Sequence, residues 1–560
     1  MKTTIQFGDQ VPITKQKMKR KEAKPPGLPK PPAAHMGLET NGHTTYASDV
    51  HFANIETKIN VLNAKSEPTA VGVAKGGLLA DVPAVVVQNT AGATAHAMKK
   101  RCDFAPTTCP DEEVIKKGHA AVMSKFDALP TIQVTAELIS EYLATCTPAK
   151  AERLRKALTE PEIRYDGGSK HVFAKAEVLL KPHGAQPRVV YQGTDMYNAV
   201  IGALIMEITR RMKQVFSLSN PKNTGNKIVF ACGMTNEEIG DMLDNSPGQA
   251  LESDATNNDG SQSKTWRRYE AMFYGKLGAP VWFVREFARN TMVRVWTRFG
   301  LAAVVDGERW SGESTTTTGN SYVHMCNIQH SLEEAEIKES TNVHGGDDYL
   351  GVISEKVDAL AGTIPTTFQK VGMEAKVVKP ATREHATFYR KRYVRGLTCS
   401  RGVPQFGRVL SKLNLRANRN TEVDDRAYMA GKYLSAAYEH RYVPDLAHIL
   451  VETANRLSDN PHFDDGKSKL REMGSKSEII EKVTSVETLD RNNFEGFLQQ
   501  VYGIGHQELL YAYKCVADSA LEYAAKYTHV VKGKVKTKGI APLQYFSSDV
   551  FKVLAKVDVL

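Results

Sequence analysis

The run Val343-His344-Gly345-Gly346-Asp347-Asp348-Tyr349-Leu350-Gly351-Val352-Ile353 sets two glycines and two aspartates between apolar segments. That order predicts a β-hairpin with the acids in its turn, its flanks heading for a core. Glycine and aspartate are common turn residues, so the pattern alone also fits an ordinary surface turn. Two adjacent carboxylates in a tight turn repel each other, however, and a cation would relieve them.

Two further stretches give the hairpin a context. Glu252-Ser253-Asp254-Ala255-Thr256-Asn257-Asn258-Asp259-Gly260 reads as a strand over 248–255 that Asp254 ends, with Asp259 in the turn leading to a helix. A strand-end aspartate suits a divalent cation, and a second acid beyond the turn reaches a neighbouring group instead. Ser311-Gly312-Glu313-Ser314-Thr315-Thr316-Thr317-Thr318-Gly319-Asn320 reads as a flexible loop running into a helix over 315–336. Thr316 and Asn320 are four residues apart and share a helix face, which suits hydrogen bonding to a sugar hydroxyl and clamping of a template strand. An N-capped helix with a threonine-rich first turn is the competing reading. If the 343–353 hairpin, with strands over 342–353, meets the end of the Asp254 strand, Asp254 and Asp347 can hold two metal ions ~3.5–4 Å apart.

The rest of the chain sets bounds. Its 560 residues carry 73 Lys plus Arg against 63 Asp plus Glu, a net charge of +10. With 41% apolar and 24% charged residues the composition is globular, which excludes a wholly disordered chain, a collagen-like fibre and a small disulfide scaffold. The length allows three or four domains of ~150 residues, or one large enzyme core with appended lobes. The seven cysteines are scattered without a C-x-x-C pair, so free thiols are expected. The N-terminus lacks an apolar signal region, and Val71 to Met98 is interrupted by Lys75 and Asp81, too short a run for a membrane span.

Positive charge is concentrated in two places. Residues 1–37 hold eight Lys/Arg, two acids and six prolines, the composition of a disordered basic arm. From Arg383 to Arg419, ten Lys/Arg face Glu384 alone, interleaved with Phe388, Tyr389, Tyr393 and Phe406. Basic residues with aromatics between them suit a surface that follows a nucleic-acid backbone. Periodicity predicts helices from about 111, two short strands within 172–191, a helix from Ala199 to Phe216, helices over 262–298, and an almost wholly helical chain after 422. Residues 38–110 give no clear assignment.

The order D-x4-D, S-G-x3-T-x3-N and G-D-D resembles motifs A, B and C of viral RNA-dependent RNA polymerases of positive-strand viruses. The wording SDATNNDG, SGESTTTTGN and GGDDYLGVI is most similar to the nodavirus- and tombusvirus-like groups, over about residues 170–415. The resemblance implies metal ligation by Asp254 and Asp347 with Asp348 accessory, two Mg²⁺ or Mn²⁺ ions, and ribose reading by Asp259 and Asn320 supported by Ser311 and Thr316. KPHGAQPRVVY resembles motif F, with Lys181 and Arg188 gripping the triphosphate, although it departs from the tighter K-P-R of relatives. FQKVGMEAK resembles motif D, making Lys376 the general acid for pyrophosphate, with Lys379 a near rival. FYRKRYVRG resembles the primer-grip region, which assigns RNA contacts to Arg390, Lys391, Arg392 and Arg395.

The implied fold is α+β, a right hand with an antiparallel palm sheet and a mostly helical thumb. Its parts would be a disordered arm over 1–37, an N-terminal extension over 38–110, fingers over 111–245 and 262–305, palm over 246–261 (motif A) and 306–400 (motifs B to E), and thumb with tail over 401–560. The resemblance further implies viral genome replication with primer-independent initiation, template and nascent RNA and NTPs as partners, and action in host cytoplasm, with other viral replication proteins linking the chain to host membranes. Two alternatives stand against it. A reverse transcriptase would carry a bulky aromatic after motif A and a tyrosine before its paired acids, where this chain has small polar residues and glycine. An RNA-binding, capsid-like protein suits the basic arm but not the GDD hairpin or the helical C-terminal third.

Overall fold

The computed structural model describes residues 37–40, 43–46, 57–59, 84–87, 89, 91–103, 109–160, 167–180, 187–307, 309–415, 424–463, 475–531, 534–537 and 548–559. The arm, apart from Gly37, and Lys181 lie outside the described residues.

Five strands build the central sheet in the order Ala375–Val378, Gln249–Ala255, Asp348–Ile353, Ser340–Gly345 and Asn226–Phe230. Side chains alternate across it as a two-residue period demands. Ile228, Phe230, Leu251, Tyr349 and Ile353 enter one apolar core, while Val229, Ala250, Leu350 and Val352 enter another on the opposite face. Helices Thr316–Glu334 and Val357–Lys370 supply the first core, and helix Asn236–Asp244 with Ala386, Phe388 and Tyr393 supplies the second. With both faces covered, Ser340–Gly345 is buried along its whole length, and truncating a side chain such as Leu350 to alanine should cost about 2–5 kcal/mol.

The expected antiparallel sheet is in fact mixed. Three pairings are antiparallel, but Asn226–Phe230 runs parallel to Ser340–Gly345. Parallel neighbours need a long crossover, and the chain between those two strands provides one.

A second five-stranded sheet runs Thr57–Ile59, Leu301–Asp306, Met292–Trp296, Ser169–Ala174, Val189–Gln192. Here two expectations are corrected. The helix expected through residue 298 stops at Arg289, and Met292–Trp296 is a strand with only Val293 and Val295 buried. That alternation is period two, which the surrounding helical pattern masked. The 172–191 stretch forms three strands rather than two, because Glu177–Leu180 leaves this sheet to pair with Ala84–Val87.

After the hairpin of Lys391–Arg395 and Ser400–Pro404, helices Phe406–Leu413, Asp425–Glu439, Leu446–Leu457, Lys476–Thr484, Arg491–Val501, His506–Tyr527 and Asp549–Asp558 form the C-terminal third. Thr528–Val531 and Lys534–Thr537 interrupt this helical run as a hairpin. The third has its own apolar core. Asp558 ties its last helix to the rest: it accepts from Gly407 N at 2.8 Å, Tyr502 Oη at 3.0 Å and Arg392 Nη2 at 3.3 Å. No disulfide joins any of the seven cysteines. Among the described residues no helix is long and apolar enough to cross a membrane.

Candidate active site

Strand register brings the acids together. Lys376 pairs with Asp254, Ser253 with Tyr349, and Asp348 with Gly345. Extending the Ser253–Tyr349 ladder by one step sets Asp254 opposite Asp348. A row Lys376–Asp254–Asp348–Gly345 therefore crosses the sheet at one end, and directly opposed residues share a face with Cβ atoms about 4.5–5.5 Å apart. Asp347 occupies the turn beside this row.

The carboxylates feel one another. Asp347 is held above the ordinary carboxylate range by burial, by Asp259 and by Asp254, against the pull of Arg188. Asp348 is pushed up to about 7 by burial and by Asp347, with Arg390 opposing. Both side chains reach solvent at the turn; the protein packed around their carboxyl groups is the larger cause of the rise, and the crowding of like charge adds to it.

The turn is fixed from two sides. Gly346 adopts φ +72°, a left-handed conformation that glycine takes without penalty, and its N–H donates to Ser321 Oγ at 2.8 Å. Ser321 lies on helix Thr316–Glu334, so this one bond joins that helix to the acid turn. On the other side the Tyr389 ring packs against Gly345, where a Cβ would meet Tyr389 Cε1 at 2.5 Å. Tyr389 and Arg390 both hold positive φ, +50° and +59°, between the bridged residues Phe388 and Lys391. Two consecutive left-handed residues without a glycine store strain, which surrounding contacts must outweigh.

Asp259, Ser311 and Asn320 also converge. Asn320 Nδ2 donates to Asp259 Oδ1 at 2.8 Å, and Ser311 Oγ donates to Asp259 Oδ2. Thr316 does not join them: its hydroxyl donates to Glu313 O at 2.9 Å and accepts from Gly312 N at 3.1 Å, closing its own loop. The loop expected to be flexible is pinned. Glu313 forms a buried ion pair with Lys170, both side chains being almost fully enclosed. Gly312 sits at φ +96° with Val190 too near to admit a side chain.

The cationic residues divide into groups. Arg188 pairs with Glu177 at 2.7 Å and lies within the field of Asp347 and Asp259. Lys376 is exposed on the Asp254 row, whereas Lys379 pairs with Asp358 at 2.5 Å. Within the FYRKRYVRG block, Arg390 is exposed and faces Asp348. Lys391 pairs with Glu439 and Arg395 with Asp244. Arg392 is buried against Asp558 and the His385 carbonyl, a structural anchor rather than a surface cation.

A family model described as RNA dependent RNA polymerase matches residues 125–462. The chain belongs to that family. Comparison with curated proteins finds no match. The matched span contains Asp254, the Asp259–Asn320 pair, the acid turn and the Tyr389–Arg390 turn. The protein is thus an RNA-directed RNA polymerase, a nucleotidyltransferase of the positive-strand RNA virus type, which binds template RNA and NTPs.

Polymerases of this family use divalent metal ions, and the donor set here fits one. Asp254, Asp347 and Asp348 offer only carboxylate oxygens, the ligands hard cations prefer, and the proton affinity of Asp347 and Asp348, raised by burial and by like charge, reflects crowding that a cation would relieve. Among the described residues no three acidic, histidine or cysteine side chains are grouped closely enough to cage an ion by themselves. A magnesium-type ion commonly takes one or two carboxylates and completes its shell with water and substrate phosphate.

Sequence reasoning missed Ser321, Lys170 and the role of Glu313. The acid and the serine stand inside motif-like text, but nothing local signals that their partners lie 143 and 25 residues away.

Proposed function

We propose that this polymerase replicates the genome of a nodavirus- or tombusvirus-like virus by two-metal nucleotidyl transfer, within a right hand whose fingers, palm and thumb follow the ranges given above. The cross-sheet row that sets Asp254 beside Asp348, with Asp347 at its edge, carries the reading. Bound divalent ions would lower the barrier to attack of a 3′-hydroxyl on the α-phosphate and stabilise the leaving oxygen. Asp254 and Asp347 would hold them, Asp348 assisting. Asp259 and Asn320 offer an acceptor and a donor to a sugar 2′-hydroxyl, the group that separates ribose from deoxyribose. Arg188 neutralises phosphate charge on one side, and Lys376 stands on the row as the proton donor for pyrophosphate.

Primer-independent initiation is supported by a cavity of about 330 Å³ between the Tyr389–Arg390 turn and the first helices after it. Arg390, Lys391, Arg408, Lys412 and Lys432 line it against one acid, Glu439. Arg408 and Lys412 are four residues apart on one helix face. Arg390 and Arg408 lie in the field of Asp348, so these cations border the acid turn. That excess of positive charge suits the phosphates of a starting nucleotide.

The test is RNA synthesis by the purified protein on an unprimed, 3′-blocked template with NTPs and Mg²⁺ or Mn²⁺, beside Asp347→Ala and a dNTP reaction. Product from the wild type alone, and only from ribonucleotides, supports the proposal. Equal product from Asp347→Ala removes the site assignment, and synthesis that requires a primer removes the initiation mode.

A further inference from the structure

Behind the Asp259–Asn320 pair runs a hydrogen-bond chain whose direction is set by one guanidinium. Arg309 Nε donates to Gln262 Oε1 at 3.0 Å, and its two terminal nitrogens donate to Glu270 at 2.8 and 2.6 Å. Gln262 Nε2 then donates to Asn320 Oδ1 at 2.9 Å, and Asn320 Nδ2 donates to Asp259 Oδ1 at 2.8 Å. Gln262, Glu270, Arg309 and Asn320 are all buried, so water is a poor substitute for any link.

Polarity follows from chemistry. A guanidinium has donors and no acceptor, so Gln262 must turn its carbonyl to Arg309 and its amide to Asn320. Asn320 then has its carbonyl occupied and must turn its amide to Asp259. The two ends of an amide group are nearly the same size, so packing alone leaves that choice open. Glu270 holds Arg309 in place and is itself held by Tyr274 Oη at 2.6 Å. Arg309 also donates its backbone N–H to the Asp259 carbonyl at 3.0 Å. Gly319 lets the helix lie directly on this pair, since a Cβ there would overlap both the Arg309 guanidinium and the Glu270 carboxylate.

We infer that Gln262 and Arg309, braced by Glu270, are positioning residues for ribose selection, fixing Asn320 so that its amide donor faces the sugar-reading carboxylate. The inference rests on the reading that Asp259 and Asn320 contact the 2′-hydroxyl. In this arrangement one amide hydrogen of Asn320 goes to Asp259 and the second is available to the hydroxyl oxygen, while Asp259 retains lone pairs for the hydroxyl hydrogen. A reversed amide would set oxygen against carboxylate and remove the donor.

Gln262→Glu tests this in the full-length protein. Glutamate keeps an acceptor for Arg309 but gives Asn320 nothing to accept from, so the Asn320 amide is drawn round to the new carboxylate. The ratio of kcat/KM for an NTP over its dNTP is measured for wild type, Gln262→Glu, Gln262→Met and Asn320→Ala. The expected result is a fall of tenfold or more in that ratio for Gln262→Glu, through a raised NTP KM with the dNTP parameters unchanged. Gln262→Met, which leaves Asn320 free to take either orientation, should fall between it and wild type, and serves as the readout if the glutamate variant does not fold. A wild-type ratio in both Gln262 variants, with a collapsed ratio in Asn320→Ala, overturns the relay while sparing the sugar reading. An unchanged ratio in Asn320→Ala overturns the sugar reading and the relay with it.

Discussion

The two glycines ahead of the acids do different work, and Gly345→Ala separates them. Gly345 is outside the left-handed region, so alanine suits its backbone, but the new methyl would meet the Tyr389 ring. Overpacking of this kind costs about 1–3 kcal/mol. Gly346 is the reverse case, with φ +72° and nothing within 4 Å of an added Cβ. Gly346→Ala should therefore cost about 1–2 kcal/mol from backbone conformation alone. Tyr389→Ala should rescue the first variant and leave the second unimproved. A double-mutant cycle on melting temperature reads the difference, with about 2–4 °C per kcal/mol for a cooperative unit of 150–250 residues. Nucleotide addition on a primed template follows whether the Tyr389–Arg390 turn has moved away from Asp348. If Tyr389→Ala rescues both glycine variants equally, or neither, the steric account of Gly345 is wrong.

Three further outcomes are expected. Asp348→Asn should sharply reduce RNA synthesis yet raise the melting temperature in chelator at pH 8, because it removes a charge that is buried and further crowded by Asp347; a lower melting temperature would contradict that electrostatic picture. Asp348 binds its proton more tightly in the folded than in the unfolded chain, so its contribution to stability is present below the ordinary carboxylate range and is lost as pH rises through about 7. Chelated wild type should lose melting temperature relative to Asp348→Asn between pH 5 and 8, and added Mg²⁺ should restore more at pH 8 than at pH 5.5; parallel pH profiles for the two proteins would count against it. Asp558→Ala strands the buried Arg392, which should cost about 3–5 kcal/mol, and replacing both partners with apolar residues should recover most of it in thermal unfolding.

How legible each part was depends on how local its cause is. The acid hairpin could be read directly, because a Gly-Gly-Asp-Asp tip between apolar runs has few other conformations. The helices after residue 111 were equally open, since three-and-four spacing reports a single buried face. Met292–Trp296 was not, as five residues of alternating burial are short beside the helices that precede them. The parallel edge strand Asn226–Phe230 leaves no mark on its own sequence, because direction is a property of the pair. Arg392 looked like one more cation in a basic block until Asp558, 166 residues on, was found beside it.

By itself the sequence determined the class of chemistry: acids in turns, a serine-glycine loop entering a helix, and basic residues in the order a nucleotidyltransferase of this family uses. Each of those is a choice of functional group at a position whose backbone is set by its neighbours. Only the tertiary structure decided which groups meet, namely that Lys376, Asp254 and Asp348 fall in one row, that Ser321 grips the acid turn, and that Arg309 orients Asn320 through Gln262. Charge and hydrogen-bond energies depend on separation in space, and separation between residues 50 or 150 positions apart is set by strand register and packing, which no local pattern encodes.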